Sequence, residues 1–97
     1  MAQLPAEILA HRDEILQIAA RHGTRSVSVF GSFAHGTADA HSDLDLLVEA
    51  GTETTPFFPG GLIADLEQLL GRRVDVVEPD GLYDPLRARI LREAIPL

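Results

Sequence analysis

The chain contains no cysteine, which excludes disulfides and thiolate zinc sites together. It contains no lysine either. Eight arginines stand against fifteen acidic residues, for a formal net charge of −7. Nucleic-acid binding usually begins with a positive surface that releases counterions from phosphates. That surplus is missing, so direct nucleic-acid binding is not expected. Phosphate would be handled through a metal ion, or the chain would dock on a basic protein. Acidity that only keeps a small protein soluble is the plainer alternative. No run approaches the roughly 18–20 apolar residues of a membrane span. Met1 to Glu14 carries charges where a signal peptide would be apolar. The expectation is a soluble cytoplasmic protein with no membrane contact.

What is present suits one small folded unit. Apolar residues make up 45% of 97 residues, enough for a core and too many for a disordered chain. The length predicts a single domain over residues 1–97. So small a domain has little room for a wide ligand pocket of its own.

Ile8, Ile15, Ile18 and Ala19 recur on one face and predict a helix from about Pro5 to His22, with Gly23 as its stop. Arg25 to Phe30 alternates small polar with β-branched residues, as a strand does. A short segment, Ser32 to about Gly36, and a polar stretch, Thr37 to Ser42, lead to a second strand from Leu44 to Glu49. Leu62, Ile63, Leu66, Leu69 and Leu70 have helical spacing up to Gly71. Val74 to Glu78 reads as a third strand, and Asp84-Pro85 as the cap of a last helix reaching about Ala94. The order is α-β-α-β-α-β-α: an α+β (mixed α/β) fold, a small mixed sheet with helices packed on it. The second and third strands would run parallel through the intervening helix.

One stretch departs from a plain fold pattern. In Ser42-Asp43-Leu44-Asp45-Leu46-Leu47-Val48, side chains alternate along the strand, so Asp43 and Asp45 share a face. Two carboxylates about 7 Å apart on one face repel unless a positive charge lies between them. Hard oxygen ligands at a strand start suit Mg²⁺ or Mn²⁺; a bare Asp-x-Asp also suits a solvated strand edge. Three neighbours favour the metal. Gly31-Ser32 follows a strand and opens a short helix, where backbone amides and a hydroxyl can meet a phosphate. Asp75 is a carboxylate in an otherwise apolar strand, costly to bury unpaired if that strand is central; beside the second strand it can complete a trio with Asp43 and Asp45, and an edge strand with Asp75 facing water is the alternative. Gly36 lets the chain turn out of the short helix.

Taken together, Gly31-Ser32-Phe33-Ala34-His35-Gly36, six residues, and then Asp43-Leu44-Asp45 resemble the signature of the DNA polymerase β-like nucleotidyltransferase superfamily. Within it the chain is similar to the minimal (MNT-type) members, short partners of HEPN-domain proteins in toxin–antitoxin pairs. The run Leu69-Leu70-Gly71-Arg72-Arg73-Val74-Asp75 and the Leu86 to Pro96 ending extend the likeness over nearly the whole chain.

The resemblance implies that Asp43 and Asp45 bind the divalent metals carrying a nucleoside triphosphate, with ATP favoured. It implies that Asp75 joins a metal and helps take the proton from an attacking hydroxyl, while Gly31, Ser32 and Gly36 serve the nucleotide. AMP would go to a hydroxyl on a HEPN-domain partner. Minimal members commonly carry arginine before the second glycine, where this chain has His35. Histidine is only partly charged near neutrality, so a cationic role there is weakened, and an exposed residue standing in for arginine is expected.

Two other readings compete: an acidic antitoxin that neutralises its partner by docking alone, and the catalytic subunit of a two-chain enzyme acting on a small molecule. Phe57 and Phe58 would cover the core at a helix entrance, or else stack on a base. Tyr83 offers a hydroxyl and nothing more. Arg72, Arg73, Arg87, Arg89 and Arg92 are expected in solvent. Short helices that can bury a face by pairing leave a homo-oligomer open.

Overall fold

The structure, a computed structural model, describes residues 4–97; Met1, Ala2 and Gln3, the first residues of the stretch weighed as a leader, lie outside them. The amino-terminal helical pattern is realised as two helices, α1 (Ala6–Ala10) and α2 (Arg12–Arg21), where periodicity predicts one. The break is at His11, whose backbone (φ −106°, ψ 11°) leaves the helical region. Its amide bonds back only three residues, to the Ile8 carbonyl at 3.1 Å, before Ile15 N restarts the ladder on the His11 carbonyl at 2.9 Å. Ile8 and Ile15 are still both fully buried. Apolar spacing specifies which side chains go inward and says little about a single tight turn between them.

β1 (Thr24–Phe30), α3 (Ser32–His35), β2 (Leu44–Ala50), α4 (Gly60–Leu70) and β3 (Val74–Val77) follow close to their expected places. A 3-10 turn (Pro79–Gly81), α5 (Asp84–Glu93) and a two-residue strand, β4 (Ile95–Pro96), complete the chain. Tyr83 is the residue that caps α5, without a side-chain bond, and Asp84 and Pro85 are its first two helical positions. Proline is harmless there because the first amides have no partner within the helix.

The sheet has the order β3-β2-β1-β4, with β2 parallel to β3 and the other pairs antiparallel. It is the mixed sheet expected, extended by β4. On one face Val27, Val29, Leu44, Leu46, Val48 and Val74 meet Ile8, Ile15, Ile18, Leu62 and Leu66 from the helices. Each wholly buried leucine among them stabilises by about 1.5–3 kcal/mol. That layer fixes which way β2 faces, because a one-residue slip would carry Asp45 into the core.

Two expectations are corrected here. β3 is an edge strand, not a central one, and Asp75 on it is exposed. Arg72, expected in solvent with Arg73, keeps only 13% of its side chain exposed, because its guanidinium lies 4.7 Å above the ring of buried Phe33. Among the described residues no helix is long and apolar enough to cross a membrane.

Candidate active site

The alternation that buries Leu44, Leu46 and Val48 turns Asp45 to the opposite face of β2. There it has two cross-strand partners: Asp75 on β3 and Phe30 on β1. Asp43 stands one residue before β2, and Gly31 directly follows Phe30. Asp43, Asp45 and Asp75 therefore lie at the same end of the sheet as the Gly31-Ser32 turn.

The electrostatics mark Asp45 as the central group. Its carboxyl is held above the usual carboxylate range, first by burial, then by repulsion from Asp75, and then from Asp43. Gly31 has φ 72° and ψ −149°, a conformation open essentially to glycine alone, and a Cβ there would collide with Asp45 Oδ2. Backbone and carboxylate are thus in close approach. Ala34 N and His35 N both bond to the Gly31 carbonyl, at 3.0 and 3.1 Å, leaving the Ser32 and Phe33 amides without helical partners. Gly36, left-handed at φ 76° with open space around it, takes the chain out of α3.

Among the described residues, no three His, Asp or Glu side chains are gathered closely enough to cage an ion. The donor set nevertheless fits a hard divalent cation whose shell is completed by water and substrate phosphates. Mutually repelling carboxylates, one of them reluctant to ionise, are the residues a divalent charge would reconcile.

Beside the carboxylates, Phe30, Gly31, Ser32, Leu86 and Ile90 line a recess of about 320 Å³ between α3 and α5. His35 closes its rim. It is exposed, as expected, but it is not idle: its Nε2 donates to Glu93 Oε2 at 3.1 Å, and Arg89 Nε donates to Glu93 Oε1 at 3.4 Å. A pair 58 residues apart leaves no local signal in the sequence. The His35 bond, with smaller help from Arg89, holds the Glu93 carboxyl below its ordinary range. Stability from this contact is present above the unfolded carboxylate value and is lost as pH falls through the lowered one. Glu93→Gln is therefore expected to lower the melting temperature by about 1–3 °C near neutrality. In scanning fluorimetry the difference should vanish in acid.

The two phenylalanines divide. Phe58 packs partly against the core, while Phe57 is 95% exposed. Both lie in the loop after the far end of β2, roughly 17 Å of strand beyond Asp45, so stacking on a nucleotide held at the carboxylates is ruled out for them. Tyr83 is likewise exposed.

A strand-end carboxylate cluster, a glycine-serine turn opening a short helix and a mixed sheet define a nucleotidyltransferase domain. The chain belongs to that family: residues 12–97 match the family model described as nucleotidyltransferase domain. Within it, this is a minimal nucleotidyltransferase. The chain is 33% identical over 95 residues to the protein adenylyltransferase MntA of Thermococcus cleftensis, covering 98% of this chain and 93% of that one. It superposes on a solved structure provisionally assigned as a minimal nucleotidyltransferase with a TM-score of 0.82 and 49% identity, covering 93% and 92% of the two chains. A toxin–antitoxin crystallised with AMP-PNP shares the fold at a TM-score of 0.73 and 21% identity, over 87% of this chain and 69% of that one.

Proposed function

We propose that this single domain transfers AMP from ATP to a hydroxyl on a partner protein, a HEPN-type toxin, and so acts as its antitoxin. The observation that supports the reading is the placement of Asp45 opposite Asp75, with Asp43 two residues before it and Gly31-Ser32 beside it, and the Asp45 carboxyl raised by its surroundings. The adenylyl group and the protein acceptor are supported by the relative's activity. The partner class rests on the family resemblance and on an acidic chain suited to a basic surface.

Asp43, Asp45 and Asp75 would hold Mg²⁺ or Mn²⁺. A divalent ion bound there neutralises triphosphate charge and makes a hydroxyl easier to deprotonate. Gly31 and Ser32 orient the triphosphate from the other side, and Gly36 sets the exit of their helix. The acceptor oxygen attacks the α-phosphorus in line, and pyrophosphate departs. Asp75 is exposed on the edge strand, so an incoming hydroxyl can reach it and leave its proton there. The shallow recess gives the base little enclosure, so the partner completes the pocket. ATP as donor implies a cytoplasmic reaction.

The test incubates the purified chain with its cognate HEPN-type protein, Mg²⁺ and each nucleoside triphosphate in turn. Intact-mass spectrometry should show AMP added to the partner, with ATP preferred. A partner that is bound and silenced but never modified would make the chain a docking antitoxin. Transfer to a small hydroxylated molecule instead would favour the two-chain enzyme.

A further inference from the structure

Arg72 has no part in the chemistry described so far, yet it is the most heavily bonded side chain near the site. Its Nε and Nη2 donate to Glu7 Oε1 and Oε2 at 3.2 and 3.1 Å, a two-point grip from α1. Its Nη1 donates to the Ser42 carbonyl at 2.8 Å and the Asp39 carbonyl at 3.3 Å. Its flat face covers Phe33, the residue after Ser32.

The Ser42 carbonyl belongs to the peptide plane that carries the Asp43 amide. On the other side of Asp43, Leu44 N donates to the Arg73 carbonyl at 2.9 Å. Asp43 is therefore bracketed, by the Arg72 side chain before it and the Arg73 backbone after it. The loop itself closes through Asp39, whose Oδ1 accepts from His41 N at 2.8 Å and from Ser42 Oγ at 3.2 Å.

Resting on the nucleotidyl-transfer reading, we propose that Arg72 is a positioning residue for the reaction. From its anchor on Glu7 it fixes the backbone that presents Asp43 and, through Phe33, the helix that presents Ser32. One planar cation thereby sets the spacing between the metal ligand and the phosphate-binding turn. Four hydrogen bonds and the Phe33 ring hold its guanidinium in one place. Lysine cannot take its place: an ammonium is a point charge without a fork, and it would have to choose between Glu7 and the carbonyls.

The test compares wild type with Arg72→Lys, Arg72→Met and Glu7→Gln. Melting temperature, Mn²⁺ binding by electron paramagnetic resonance in the presence of ATP, and kcat and KM for ATP would be measured. Arg72→Lys should weaken Mn²⁺ binding about 10-fold and lower kcat about 10–100-fold, with KM moving less. Glu7→Gln, on a helix away from the carboxylates, should shift both in the same direction by a smaller factor. Combined with Arg72→Lys it should add little, because the two act through one contact. Should Arg72→Met fail to fold, the other two variants carry the test. A folded Arg72→Lys protein with wild-type Mn²⁺ binding and kcat, whether or not its melting temperature falls, would overturn the proposal. Absence of Mn²⁺ binding and of transfer in the wild type would instead sink the nucleotidyl-transfer reading on which it rests.

Discussion

Asp45→Asn is expected to leave the metal-free protein more stable and without activity. Neighbouring strands lie about 5 Å apart, and two unit charges at that separation repel by about 0.8 kcal/mol in water and about 3 kcal/mol at an effective dielectric of 20. Asp75 is exposed, so solvent screening keeps the effect near the lower figure. A gain of about 1 kcal/mol follows, or about 4–8 °C in melting temperature at this chain length. Activity should fall by about 10³-fold or more, as when charge stabilisation is removed from other sites.

Burial and repulsion both raise the Asp45 carboxyl, so its charge opposes folding. The penalty is in full force above the raised value and disappears below the unfolded one, as the carboxyl becomes protonated in both states. The mutant's advantage should therefore be largest near neutrality and close in acid, the reverse of the trend expected for Glu93→Gln. Asp75 contributes more to the repulsion on Asp45 than Asp43 does, so Asp75→Asn should relieve the Asp45 carboxyl more than Asp43→Asn. Mg²⁺ should raise the wild-type melting temperature by mass action and leave Asp45→Asn unmoved. Calorimetry with and without Mg²⁺ checks all of this. An Asp45→Asn protein less stable than wild type at pH 7 would contradict the account, and so would undiminished partner modification by Asp43→Asn.

The parts of this molecule that were legible in the sequence are those written in local spacing. Leu44, Asp45, Leu46 and Val48 alternate, so their strand and its two faces could be read directly. Leu62, Leu66 and Leu70 step at helical intervals into Gly71, and that helix ends at Leu70. Asp75 stands out in the sequence by its oddity in an apolar strand, and the structure puts that strand at the sheet edge. What brings it beside Asp45 is the register of the two strands, a pairing that composition does not encode.

The remainder depends on contacts between distant segments. His35 meets Glu93, and Arg72 meets Glu7 across 65 residues. Ile95 and Pro96 become a strand only because Val29 and Ser28 are there to pair with, and proline is tolerated because the strand is an edge. Arg72 reads as solvated by residue type, yet a guanidinium can be buried when carboxylate, carbonyls and an aromatic face satisfy it together.

Gly31→Ala is the second large effect expected, and it acts on fold and site at once. At φ 72° and ψ −149° an L-residue is strained whatever surrounds it, at a cost of about 1–3 kcal/mol. The added Cβ also meets the Asp45 carboxylate, which sits on a rigid central strand and can only swing away from the turn. A loss of about 2–3 kcal/mol, roughly 10–20 °C, is expected, with kcat reduced about 100-fold or more because Asp45 leaves its place.

Gly36→Ala provides the contrast. Gly36 also has positive φ, but nothing lies within 4 Å of its would-be Cβ, so only the left-handed strain of about 1–2 kcal/mol remains. Because the added Cβ meets the Asp45 carboxylate, Asp45→Ala placed on the Gly31→Ala background should recover part of the lost stability beyond what Asp45→Ala gains on its own. A double-mutant cycle read by thermal unfolding measures that coupling. Strict additivity would mean that glycine is needed at position 31 for its backbone alone. Coupling of 0.5 kcal/mol or more, about the usual threshold for residues in contact, would mean that the bare backbone there makes room for the carboxylate at the centre of the site.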